Sequence, residues 1–295
     1  MSCQRKPRVL CVDDEPGVLR MLRWLLEGQF DVTCTTDTRE ARMHLRSDDF
    51  EVVISDQRMP GMLGTEFLRW ARIESPNTMR LMLSGYSDFT EIVDAVNASE
   101  VFRFLPKPWD EQQLLEAVDY AAAVVRRVPV RTAELSVESD EDDTIEPRDN
   151  EAILLLDPDP ATEQHLREAL GDATPLHWVR SIHEATAWIE RHPASVLLVE
   201  TEVGGDCTLD FIRAVKRRQP LAVTIATSGK RDGSNVVCLI NDAQIFRFLK
   251  KPLVPSQTRE MVRAALRQHR MLQAHPMRAA RYKAQPDAGA NPVFN

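Results

Sequence analysis

Long hydrophobic runs are missing from this sequence. No stretch of its 295 residues approaches the roughly 20 apolar residues of a bilayer span. Residues 1–8 carry charges but no apolar core of an export signal. Both absences predict a soluble cytoplasmic protein. Cysteine is sparse too: Cys3, Cys11, Cys34, Cys207 and Cys238 are widely spaced, odd in number and free of any C-x-x-C pair. That excludes a disulfide framework and a local zinc motif, and suits a reducing compartment. Cys11 lies in an apolar run and reads as a small core residue. Aromatics make up only 6% of the chain, so its cores should be mostly aliphatic. Positive charge is outweighed, and a net charge of −8 argues against a general nucleic-acid binder. The histidines (His44, His165, His177, His183, His192, His269 and His275) show no metal-ligand spacing and read as surface or incidental residues.

What is present is written twice. Phe102-Arg103-Phe104-Leu105-Pro106-Lys107-Pro108 recurs as Phe246-Arg247-Phe248-Leu249-Lys250-Lys251-Pro252, identical at six of seven positions and offset by 144 residues. The same offset, without a gap, places Asp13 on Asp157, Phe67 on Phe211, and Ser84-Gly85 on Ser228-Gly229. Register held over such a distance predicts a duplicated domain.

Each copy alternates short apolar runs with helical patterns. Strands are expected at 8–12, 30–34, 51–55, 79–83 and 101–104, and again at 152–156, 175–179, 196–200, 221–226 and 245–248. Nearly continuous apolar runs of this length suit strands buried on both faces. Between them, residues 16–27 place Val18, Leu22, Leu25 and Leu26 on one helical stripe, with Pro16 at the start. Five strands alternating with five helices predict right-handed crossovers and an α/β fold with a parallel sheet. The expected domains span 7–124 and 151–268. Between them, residues 131–150 hold eight acids against two arginines and few large apolar side chains, so 125–150 reads as an acidic flexible linker. Beyond the second copy, 269–295 reads as a basic helical extension and disordered tail.

In an open α/β sheet, ligands bind outside the carboxyl ends of the strands. There the first copy carries Asp13, Asp14, Asp56, Ser84 and Lys107. Crowded carboxylates need a cation, and Mg²⁺ takes hard oxygen ligands. A carboxylate in such a place can attack phosphorus and form an acyl phosphate, with the hydroxyl and ammonium holding phosphoryl oxygens. Singly, each residue has a plainer reading, such as a helix cap at Asp14 or a solvated Lys107. Together, at strand ends, they make a site.

These residues resemble the receiver domains of bacterial two-component response regulators. The likeness rests on Val12-Asp13-Asp14, the run Ser55-Asp56-Gln57-Arg58-Met59-Pro60-Gly61, Ser84-Gly85, and Phe104-Leu105-Pro106-Lys107-Pro108. It covers residues 7–124 and, more loosely, 151–268. It implies a flavodoxin-like doubly wound sheet in the order 2-1-3-4-5, with Asp56 as phosphoacceptor. It also implies Asp13, Asp14, Asp56 and the backbone carbonyl of Arg58 around Mg²⁺, and Ser84 and Lys107 on the phosphoryl group. Phe104 stands where many receivers carry a switching tyrosine, so a hydroxyl-dependent readout is not expected.

The second copy lacks part of this set. Pro158 replaces Asp14 and Glu200 replaces Asp56, while Asp157, Ser228 and Lys251 remain. Glu200 is one methylene longer, a shift that matters to tight Mg²⁺ geometry. A degenerate receiver is expected, serving as a constitutive interaction module, with Glu200 drawn to Lys251.

The resemblance implies a response regulator rather than an enzyme, its chemistry limited to self-phosphotransfer and autodephosphorylation. A sensor histidine kinase would supply the phosphoryl group, and output would run through protein contacts, since no helix-turn-helix or cyclic-dinucleotide enzyme motif is visible. Homodimerisation is expected on the face made by the fourth helix, fifth strand and fifth helix, around 90–101 and 110–125. Two other readings stand beside this one. A phosphorelay intermediate or phosphate sink would pass phosphate to a histidine phosphotransfer protein. A DNA-associated regulator would use Arg263, Arg267, Arg270, Arg278, Arg281 and Lys283. The run 56–62 also looks like receivers found beside cyclic-di-GMP phosphodiesterase or hydrogenase-regulator output domains.

Overall fold

The computed structural model describes residues 5–85, 89–127, 148, 150–171 and 174–282. Two compact units divide after Ser139. In the first, strands β1 (Arg8–Val12), β2 (Asp31–Thr35), β3 (Val52–Asp56), β4 (Met79–Ser84) and β5 (Arg103–Pro106) alternate with helices. The helices are α1 (Pro16–Leu26), α2 (Thr38–Ser47), α3 (Gly64–Glu74), α4 (Phe89–Ser99) and α5 (Glu111–Arg127). All neighbouring strands run parallel in the order β2-β1-β3-β4-β5. The order reverses between β1 and β3, which opens a crevice at their carboxyl ends.

Burial explains the layers. Every residue of β3 is buried, as a strand covered on both faces requires. One face packs Val9, Cys11, Val52, Ile54 and Leu81 against Leu22, Leu114, Val118 and Ala121 of α1 and α5. Pro16 opens α1, where a missing N–H costs nothing. Its buried stripe is Leu19, Leu22 and Leu26, whereas the expected Val18 and Leu25 are only half-buried. The helix turns slightly further toward the sheet than its most aliphatic side suggests. At α2, Asp37 accepts the Arg39 N–H at 2.7 Å and caps the first turn.

The second unit holds β6 (Ile153–Leu156), β7 (Leu176–Val179), β8 (Val196–Glu200), β9 (Val223–Ser228) and β10 (Arg247–Lys250). Their order, β7-β6-β8-β9-β10, matches that of the first sheet, and all pairs are parallel. Helices α6 (Pro160–Leu170), α7 (Ile182–Ile189), α8 (Leu209–Arg218), α9 (Gly233–Ala243) and α10 (Pro255–Ala274) complete it.

Several boundaries differ from expectation. The fifth strand of each unit starts two residues late, because Val101-Phe102 and Ile245-Phe246 are buried lead-ins that precede the ladder. A two-residue ladder follows β3, pairing Arg58–Met59 with Met62–Leu63, and another follows β8, pairing Glu202–Val203 with Asp206–Cys207. Helix α5 continues through Arg127, into the stretch expected to be linker; most of 125–150 lies outside the described residues.

The second domain does not stop at residue 268. Helix α10 runs on to Ala274 and a 3₁₀ segment spans Pro276–Tyr282, with Leu272 and Ala279 buried in the core. His269, expected at the surface, is buried, its Nδ1 2.8 Å from the Leu221 carbonyl oxygen. A basic surface reading of this stretch underweights its apolar side. The expected tail beyond 282 lies outside the described residues. No helix among the described residues is long and apolar enough to cross a membrane.

Candidate functional site

At the carboxyl ends of β1, β3 and β5 the first unit joins three of its expected site residues. Lys107 Nζ lies 2.7 Å from Asp13 Oδ2 and also contacts Asp56 Oδ1. Asp13 is fully buried and Asp56 nearly so. The remaining carboxylate oxygens take backbone donors: Glu15 N–H donates to Asp13 Oδ1 at 2.9 Å, and Arg58 N–H to Asp56 Oδ2 at 2.6 Å. Each short turn is closed by the acid that precedes it, so both carboxylates are oriented before any ligand arrives.

Burial pushes the Asp13 carboxyl above its ordinary range, and the Asp56 charge adds to this, against the opposing pull of Lys107. Burial alone would lower the Lys107 ammonium, but its bonds and charge pairing with Asp13 and Asp56 outweigh that and raise it above 10.5. Lys107 is held as a cation.

Asp14 is half-buried next to Asp13, and Ser84 ends β4. The Ser84 carbonyl accepts the Lys107 N–H at 2.9 Å, but among the described residues neither side chain bonds the cluster, and no three acidic, His or Cys side chains form a ready metal cage. The donor set nonetheless fits Mg²⁺. Three carboxylates stand against one ammonium, two of them buried, and a divalent cation would balance the surplus with the hard oxygens that Mg²⁺ prefers. Phe104 is buried on β5.

Two residues matter here that carry no signal in a single sequence. Gln57 takes the Thr65 N–H on its side-chain oxygen at 3.2 Å, while its carbonyl accepts from Gly64 at 2.9 Å, so it ties the acceptor strand to the start of α3. A Cβ on Gly64 would lie 2.0 Å from the Asp56 carbonyl oxygen. Only glycine lets α3 begin so close to the Asp56 backbone.

The second unit builds a related arrangement with different residues. Lys251 Nζ lies 2.5 Å from both Asp157 Oδ2 and Glu200 Oε2, the contact expected between Glu200 and Lys251. Thr201 donates its N–H and its hydroxyl to Glu200 Oε1 at 3.0 and 3.1 Å. Asp159 N–H donates to Asp157 Oδ1 at 2.9 Å. Bonds to Asp157 and Glu200 raise the Lys251 ammonium above 10.5, against the burial that would lower it. The Ser228 carbonyl accepts the Lys251 N–H at 2.9 Å, but its hydroxyl does not join this cluster and accepts from Lys230 N–H at 3.1 Å. Thr208, at the position corresponding to Gly64, is buried and donates its hydroxyl to the Glu200 carbonyl at 2.9 Å.

Two described arginines of the basic C-terminal stretch are taken up by the fold. Arg270 is bound in a fork to Glu151, at 2.7 Å on each oxygen, and Arg278 is buried. Lys283 lies outside the described residues.

The acidic pocket with its facing lysine lies at the switch point of a 2-1-3-4-5 parallel sheet, where open α/β sheets bind ligands. Residues 9–119 match the family described as response regulator receiver domain, and this part of the chain is a receiver domain. The hydrogenase transcriptional regulatory protein HoxA of Cupriavidus necator is 36% identical over 117 residues, 40% of this chain and 24% of its own. HoxA of Bradyrhizobium diazoefficiens is 33% identical over 118 residues, with the same shares. The chain spans about a quarter of the length of these curated relatives. Among solved structures, the signal receiver domain of an HD domain-containing protein from Pseudomonas fluorescens is 32% identical. That likeness covers 43% of this chain and 93% of the other, with a TM-score of 0.41.

Proposed function

We propose that the chain accepts a phosphoryl group on Asp56 from a sensor histidine kinase and signals by altered protein contacts. The observation that supports this best is Lys107 held between Asp13 and Asp56 within a receiver domain. In the transfer, an Asp56 carboxylate oxygen attacks the phosphorus of a phosphohistidine. The phosphorus–nitrogen bond breaks with its electron pair remaining on the imidazole. The Arg58 N–H fixes the carboxylate's direction, and Lys107 offsets the charge of the phosphoryl oxygens as a point cation. Asp13, Asp14, Asp56 and the Arg58 carbonyl would hold Mg²⁺, which would supply further charge neutralisation. No enzymatic turnover of an external substrate is part of this reading.

The second unit is a degenerate receiver in this reading, a constitutive module whose pocket is closed by its own ion triad. Lys251 with Asp157 and Glu200 supports it, since both carboxylates are already partnered. Output contacts and self-association use the α4-β5-α5 face of the first unit.

Incubation with Mg²⁺ and acetyl phosphate, followed by intact-mass measurement, tests the proposal. One acid-stable, base-labile phosphoryl group should appear on the wild-type chain and vanish in Asp56→Asn. Equal labelling of that variant would place the acceptor elsewhere.

A further inference from the structure

Two cysteines expected to be unrelated lie side by side. Cys11 on β1 and Cys34 on β2 are register partners. Partners on neighbouring parallel strands sit about 4.8 Å apart and project to the same face. A disulfide spans Cα separations of about 4.4–6.8 Å. The Cys34 thiol donates to the Leu19 carbonyl oxygen of α1 at 3.7 Å, and Cys11 and the Arg23 guanidinium both act on its ionisation. Cys34 is half-buried, while Cys11 lies wholly in the core beneath α1. One sulfur is therefore reachable from solvent and the other is its immediate neighbour.

We propose that Cys11 and Cys34 are a redox-active dithiol that a hydroperoxide converts to a reversible intramolecular disulfide. Cys34 is the attacking sulfur. The Cys11 hydrogen bond and the Arg23 guanidinium hold its thiol down at about 7, from an ordinary 9.0, against the opposing effect of burial. Cys11, its register partner in the core, is the resolving thiol. The Cys34 thiolate attacks one oxygen of the hydroperoxide, the O–O bond breaks, and the leaving alkoxide takes a proton from water. Cys11 then attacks the sulfenic sulfur and the S–O bond breaks; the hydroxide leaves with the Cys11 proton as water. The sulfur pair loses two electrons and the peroxide gains two. The resulting bond joins β1 to β2 two residues before Asp13, whose own N–H bonds the Thr35 carbonyl at 3.4 Å. A thiol reagent restores the pair, because a bridge between adjacent parallel strands is tight and readily reduced.

The test uses the full chain with Cys3, Cys207 and Cys238 replaced by serine, treated with hydrogen peroxide and read by non-reducing peptide mass spectrometry. A peptide containing Cys11 should appear linked to one containing Cys34, and disappear with dithiothreitol. Cys11→Ser should instead leave Cys34 as a sulfenic acid trapped by dimedone, whereas Cys34→Ser should give no adduct at Cys11. Arg23→Gln should slow oxidation severalfold at neutral pH. Oxidation of Cys34 straight to sulfinic acid with no linked peptide would overturn the proposal. Reaction at Cys11 in the absence of Cys34 would overturn it too.

Discussion

Asp13 is the residue whose chemistry works against its stability. Its carboxylate is fully buried and close to Asp56, and burial raises its pKa above 3.8. A raised carboxyl contributes stability below its unfolded pKa and loses it as pH climbs through the folded value. At neutral pH the ionised group is therefore a cost. Asp13→Asn, which keeps the acceptor for Glu15 N–H, should stabilise the metal-free protein by about 1 kcal/mol in urea unfolding while weakening Mg²⁺ binding sharply. Loss of stability in that variant would contradict the charge-crowding account. Lys216 makes the opposite case in the second unit. Burial lowers its ammonium from 10.5 to about 7, although its Nζ donates to the Gln244 carbonyl. A lysine lowered in the folded state binds fewer protons there than when unfolded, so stability should rise from about pH 7 toward 10.5. Lys216→Met should flatten that rise and add about 1–2 kcal/mol at pH 7. Parallel stability–pH profiles for the two proteins would show that the ammonium is not desolvated.

Among the elements, α10 shows where sequence reading succeeded and where it stopped. Strands β1 and β8 were legible to the residue, because four consecutive apolar positions with one charged residue at the end leave little freedom. The C-terminal limit of the second unit was not legible. Its Arg263, Arg267 and Arg270 suggest a solvated basic helix, but Leu266 and His269 between them and Leu272 just beyond are buried. What turns that helix inward is distant in sequence: Glu151 at the start of the unit, nearly buried and gripped by Arg270. Burial opposes ionisation of Glu151, yet the Arg270 fork overcomes it and lowers the carboxyl. Such a pair cannot be read from spacing, because 119 residues separate its members. Removing one partner of a buried pair strands the other charge. Arg270→Ala should thus destabilise the second unit by about 2–4 kcal/mol in chemical unfolding, and leave the first unit's transition where it was. The pocket residues were legible for the opposite reason, since each ends a strand and strand ends converge by topology alone. Gln57 and Gly64 escaped because their roles depend on how closely α3 approaches the Asp56 backbone.

Across the whole molecule, two sheets of one topology carry two pockets of different charge balance. In the first, Asp13 and Asp56 face Lys107, and with Asp14 next to Asp13 they leave a negative surplus that suits a cation. In the second, Pro158 removes one acid, and the two that remain close on Lys251, with Glu200 further fixed by Thr201. Mg²⁺ with beryllofluoride should therefore shift amide resonances of the first unit around Asp13, Asp56 and Lys107 and leave those around Asp157, Glu200 and Lys251 in place. Coupling of about 1–3 kcal/mol between pocket and surface is enough to drive association through α4-β5-α5, visible as faster sedimentation of the beryllofluoride-bound chain. Glu200→Gln should lower the stability of the second unit, because Lys251 then keeps one carboxylate instead of two, and should leave labelling at Asp56 unchanged. Glu200→Asp should not create a second phosphorylation site, since Pro158 still withholds an acid and Thr208 still occupies the position that glycine holds beside Asp56. Two phosphoryl groups on the Glu200→Asp chain, or resonance shifts in both pockets of the wild type, would show that the second pocket is open to the same chemistry as the first.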